Sequence, residues 1–161
     1  MASVLLSVVD ALVATLNAAT WSGPDFVARR AFADVFDEEL KDADADAIQV
    51  DVIVPEAYDD VTLDTRAAIK RTVTIDIVIR RKFGTEHYDA ATNEIDPDKL
   101  AELVELGEIL SLEATYARMT ASIEAAWQSS EHDPIYRRDH LRQMRQFTGV
   151  VAITFEIYSA L

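Results

Sequence analysis

Between Ala67 and Phe83 the chain alternates with a period of two. Val73, Ile75, Ile77 and Ile79 fall on one side, and Thr72, Thr74, Asp76 and Arg80 on the other. β-Branched residues in this rhythm fit a pleated surface with one face buried, so the segment is a strand that needs a sheet and a cover. Strands average five or six residues; one this long predicts an arm of a long ribbon.

Other segments supply neighbours for it. Ile48, Val50, Val52 and Val54 alternate with Gln49, Asp51 and Ile53, which predicts a half-buried strand ended by Pro55. Val151, Ile153, Phe155 and Ile157 alternate with Ala152, Thr154, Glu156 and Tyr158, predicting a final strand over Phe147–Tyr158. Phe26–Phe36 reads as an earlier strand, Ile123–Ser130 as a short strand or a helix continuation, and 37–46, 56–65 and Gly84–Asn93 as loops.

Helical spacing appears twice. Leu5, Val8, Val9, Leu12 and Leu16 form one stripe within residues 4–18, interrupted by Asp10 and without a basic leader, so it reads as an amphipathic helix and not as a signal peptide or membrane span. That predicts cytosolic residence at synthesis. Asp96-Pro97 opens the second helix, with Asp96 as N-cap, a stripe of Leu100, Leu103, Val104 and Leu110, and an end between Leu112 and Met119. Gly107 inside that helix costs about 1 kcal/mol relative to Ala, which predicts close packing against the sheet. Tyr136–Met144 reads as a short helix after the Glu131–Pro134 turn, and Trp21 and Trp127 as core or half-buried anchors. The expected fold is α+β: one domain over 1–161, a mainly antiparallel sheet of four to five strands, and two main helices packed on one face.

Composition removes several chemistries. The chain has no cysteine, which excludes disulfides, thiol nucleophiles and thiolate metal sites. Its four glycines, Gly23, Gly84, Gly107 and Gly149, are too scattered for a phosphate-binding loop, a dinucleotide fingerprint or a GxSxG elbow. Asp42, Asp44 and Asp46 imitate the start of an EF-hand, but Ala47 and Ile53 stand where the motif needs Gly and Glu. His87, His132 and His140 form no HExxH pair. An enzyme reading has only a small hydrolase built on His132 or His140 to offer, with Ser129, Ser130 and Asp133 nearby in sequence. No catalytic, cofactor or metal residue is assigned.

Charge says more. Lys and Arg number 15 against 29 Asp and Glu, a formal balance of −14 that argues against wrapping nucleic acid. From Asp37 to Asp64 there are eleven acids and one base, Lys41; from Thr65 to Lys82 there are six bases and one acid, Asp76. Arg137, Arg138, Arg142 and Arg145 form a second basic group, with Phe83 and Tyr136 as the aromatics beside the two clusters. The segments read as a solvated acidic loop beside a basic strand, or as complementary surfaces that meet between copies. On the second reading the interface residues are Arg80, Arg81, Lys82 and Phe83 against Asp42, Asp44 and Asp46.

A resemblance covers most of the chain. It is carried by the helix Val4–Ala18, by Gly23-Pro24-Asp25-Phe26, by the strands Ile48–Pro55 and Thr72–Ile79, by Glu131-His132-Asp133-Pro134-Ile135-Tyr136, and by Leu141–Phe155 with its Arg145-Gln146-Phe147-Thr148 strand entry. In these segments the chain resembles the tail terminators, or tail-completion and head–tail joining proteins, of tailed bacteriophages. The resemblance implies a structural virion protein of the neck or upper tail, assembled in the bacterial host cytoplasm. It implies a ring, usually a hexamer, that ends the tail tube and docks the head connector. Its partners would be further copies of itself, the tail tube protein and the connector, or, for a related neck adaptor, the connector alone; specific nucleic-acid binding, membrane and cofactor are not implied. A negative lumen would repel passing DNA. The acidic 37–46 segment matches no feature of that family.

Overall fold

The computed structural model describes residues 3–62, 68–115 and 124–160. Helix α1 is Val4–Asn17, started by the Ser3 hydroxyl, which accepts from the Leu6 N–H at 3.3 Å, and it buries Val8, Val9, Leu12 and Leu16. Helix α2 is Pro97–Thr115. The Asp96 carboxylate accepts from the Asp98 N–H at 3.0 Å, the expected capping role. Of residues 113–122, which the sequence leaves open between helix and loop, 113–115 are helix and 116–122 lie outside the described residues. Helix α3 is Arg138–Met144 and ends on Arg145 in the left-handed region.

The strands are β1 (Phe26–Ala31), β2 (Ile48–Ile53), β3 (Asp59–Thr62), β4 (Ala68–Lys82), β5 (Tyr88–Asp89), β6 (Glu94–Ile95), β7 (Glu124–His132) and β8 (Gln146–Ala160). Among the described residues the main sheet has six strands in the order β1-β2-β4-β8-β7, with β3 also on β4. β4 and β8 pair in antiparallel register along all fifteen residues. At about 3.3 Å per residue this ribbon is roughly 50 Å long. Val73 and Ile157 are buried, so it stays within the body that far.

The α+β class and the largely antiparallel sheet agree with expectation, with four differences in detail. The sheet has six strands, because residues 59–62 in the expected 56–65 loop pair with β4 at Ile69–Thr72. β1 and β2 are parallel, which requires a crossover of a dozen or more residues; the 32–47 connection supplies it. β1 stops at Ala31, where the chain bends and the Asp34 carboxylate accepts from the Phe36 N–H, so Phe32–Phe36 is not strand. The 84–93 loop contains a 3₁₀ turn and half of the β5–β6 hairpin.

Alternation along β4 and β8 gives the sheet two faces. The odd-numbered residues Val73, Ile75, Ile77, Ile79, Val151, Ile153, Phe155 and Ile157 join the core. Helices α1 and α2 cover this face, α1 over β1 and β2 and α2 over β8 and β7. On the even-numbered face, the 32–47 crossover lies over one end. There the Gln146 amide accepts from the Leu40 N–H at 2.8 Å and donates to the Glu38 carbonyl at 3.0 Å, while Val35 and Leu40 are buried.

Candidate interaction surface

The acidic segment and the basic strand end meet within the chain. Arg80 donates to Asp51 at 2.9 Å, and both are sealed from water. Arg29, from β1, holds the other Asp51 oxygen. Lys82 reaches Glu39 at 2.6 Å and Asp42 at 2.9 Å. The bond to Glu39, reinforced by Asp42, raises the Lys82 pKa above its ordinary value. Arg81 lies 3.9 Å from Asp46 and 3.8 Å from Glu102, with its guanidinium over the Phe83 ring at 5.1 Å.

The residues expected to face another copy are therefore largely engaged at home. Arg80, Arg81 and Phe83 are buried, Lys82 is mostly covered, and Asp46 is partly covered. Asp42 and Asp44 remain exposed. Phe83 is core and not an exposed aromatic, while Tyr136 is exposed. β2 is more than half-buried, because Asp51 on its polar side is covered by its two arginines and the crossover.

Asp46, Glu86 and His87 bring three ligand-type atoms within 4.8 Å of one another, the one such group among the described residues. His87 Nε2 lies 3.3 Å from Asp46 Oδ1 and 3.5 Å from Glu86 Oε1. The same Asp46 oxygen accepts from the Gly84 N–H and faces Arg81, so its charge is already opposed.

Among the described residues the other histidines do not assemble a triad. Ser130 accepts from Trp127 Nε1 at 2.9 Å, and the strand places Ser129 and Ser130 on opposite faces. His140 is buried against Phe36, its Nε2 3.6 Å from Asp37. The second basic group is divided. Arg145 donates to Tyr88 and Asn93, Arg137 covers Phe36, and Arg138 and Arg142 are exposed.

The even-numbered face carries two polar groups. A groove is lined by Asp34, Asp76, Glu131 and Asp133. Partial withdrawal from water, then the Asp34 charge, raises the Asp76 pKa above the usual carboxylate range. Further along, Glu156 accepts from the Tyr158 hydroxyl at 2.8 Å and from Lys70 at 3.1 Å. Those bonds lower Glu156, and the same carboxylate raises Tyr158.

The sheet edges are unlike. On β1, Val27 and Phe32 just beyond it are 71% and 67% exposed, beside Arg29 and Arg30. The Asn17 side chain accepts from the Ala28 N–H at 2.7 Å and donates to the Ala28 carbonyl at 3.0 Å, which satisfies the backbone of that residue on the edge. On β7 the ladder shifts between Trp127 and Ser129, and Glu131 and Trp127 are exposed. Trp127, 38% exposed, is therefore outside the core and only partly covered. Trp21 is partly buried against the core, as expected. The exposed edge residues Val27 and Phe32 escaped the sequence reading because they look like any other strand hydrophobes.

No protein-family model matches the chain, and no curated protein matches it.

Proposed function

We propose that the protein is a structural virion component of a tailed phage, a tail terminator that closes into a ring on the tail tube and presents a docking surface to the head connector. The reading rests on the segment resemblance, which implies a mainly antiparallel sheet flanked by helices, and on a fold of that kind. The observation that carries it is the inequality of the two sheet edges. A ring needs two different surfaces on each protomer, because head-to-tail contacts are heterologous and close by rotation. The β1 edge offers exposed apolar side chains with arginines. The β7 edge offers Trp127 and Glu131.

Light scattering over a concentration and salt series tests the proposal. A closed species near six copies is expected, and added tail tubes should be capped. A protein that stays monomeric at high concentration, leaves tubes uncapped and binds a connector would instead be a neck adaptor.

A further inference from the structure

An apolar-walled cavity of about 190 Å³ opens between α2, β8 and the end of β7. Gly107 and Gly149 both line it, beside Val151, with Glu108, His132 and Ile135 around it. Ile135 is 53% exposed, and Glu108 is exposed as well. A Cβ at Gly107 would stand 3.7 Å from Ile79 and 3.8 Å from Val151, which is ordinary contact. Gly107 is therefore not required by tight helix–sheet packing; its missing side chain contributes to the open space. A dry cavity of roughly 150 Å³ accepts benzene, so this one is large enough for a phenyl ring.

The chain also carries an exposed phenyl ring. Phe32 lies just beyond β1 with the Arg30 guanidinium 5.6 Å from its ring centre. Arg30 pairs with Asp10 of α1, which places it on the helix-covered face. The cavity lies on that same face, since α2 forms one of its walls. Across the sheet, Ala31, Ile53, Asp76, Ala152 and Glu131 share one rung, and Val151 and His132 share the next. Phe32 and the near end of the cavity, at Val151 and His132, thus stand about two rungs apart at opposite edges, and the cavity runs on past Gly149 toward Phe147.

We infer that Phe32 of one copy seats in the α2–β8 cavity of the next copy. This rests on the ring reading above and specifies its contact. Joined edge to edge, a knob at one edge and a socket at the other make a heterologous contact, which repeats into a ring or filament. Charge is compatible, because Arg30, already paired with Asp10 but partly exposed, accompanies the knob and the exposed Glu108 accompanies the socket. The Asn17 bonds to Ala28 close part of the β1 backbone, so the junction is made by side chains and not by an added strand.

The absence of cysteine makes the test direct. Phe32→Cys combined with Ile135→Cys should give an intermolecular disulfide ladder under mild oxidation, while either single variant stops at dimers. Phe32→Ala, and Gly107→Met to fill the socket, should each weaken assembly by about ten-fold or more, the scale of one lost buried aromatic. Thermal melts establish that each variant is folded. A wild type that assembles, with the paired cysteines unlinked and Phe32→Ala retaining full mass, overturns this contact and leaves the ring intact. A wild type that neither assembles nor caps tubes overturns the ring and this contact together.

Discussion

Asp51 and Arg80 form an ion pair that neither can leave without exposing the other to an apolar environment. The carboxylate is fully buried, the guanidinium nearly so, and they meet at 2.9 Å under the crossover. Removing one partner of a buried pair costs about 3–5 kcal/mol, because the remaining charge is uncompensated. Asp51→Ala should lower the unfolding free energy by that amount, read as a lower denaturation midpoint at unchanged slope. Arg29 holds the same carboxylate from a side chain 62% exposed to water, so Arg29→Ala should cost under about 1 kcal/mol. Equal losses from the two variants would contradict this account.

Gln146 pins the crossover. Its amide serves the Leu40 N–H, the Glu38 carbonyl and the Thr148 hydroxyl, all from a fully buried position. Gln146→Leu keeps comparable bulk and strands those groups, at about 2–3 kcal/mol. Amide exchange at Leu40 should quicken, whereas exchange at Ile77 in the sheet centre should change only as far as global stability falls.

Two glycines predict opposite signs. A Cβ at Gly149 would lie 2.4 Å from the Ile135 carbonyl oxygen, so Gly149→Ala must displace the 133–136 turn; about 1–3 kcal/mol of destabilisation is expected. Gly107 has only ordinary contacts around its absent Cβ. Gly107→Ala should therefore recover helix propensity and stabilise by up to about 1 kcal/mol. Thermal unfolding of the two single variants decides both signs.

The elements were legible where periodicity was strong. β4, β8, α1 and α2 follow from stripes of Val, Ile and Leu, and the Asp96 cap follows from its place before Pro97. Register was not legible. Nothing local in Asp51 says that Arg80 and Arg29 stand opposite it on two different strands, so a polar position in an alternating strand reads as solvent-facing. The same lack of register turned Arg80, Arg81, Lys82 and the acidic segment into two separate surfaces, although the crossover folds one onto the other. β3 was hidden because Asp59-Asp60-Val61-Thr62 has weak strand propensity and forms only against an existing edge of β4. Phe32 and the cavity around Gly107 belong to the same class: each is defined by what the fold leaves uncovered.

Asp76 gives the fold a pH dependence of unusual sign for a carboxylate. Its pKa in the folded chain is raised, first by withdrawal from water and then by Asp34. Between the ordinary carboxylate range and the raised value, the folded state binds more protons than the unfolded state. Stability from this group therefore falls as pH rises through that window and stays lower above it. Asp76→Asn removes the penalty, so the variant should be more stable than wild type at pH 7 and equal to it below the ordinary carboxylate range. Asp76 is only partly withdrawn from water and keeps much of its surface solvated, and this screening limits the gain to about 0.5 kcal/mol, or roughly 1–2 °C in Tm for a chain of this size. Asp34→Asn should shift Tm in the same direction through the second, weaker cause, provided its own bond to the Phe36 N–H survives as an amide carbonyl contact. Melting curves of the three proteins across pH 3–8 check the sign. A gain of the same size at both ends would show that Asn improves packing at this position and that the titration of Asp76 contributes nothing.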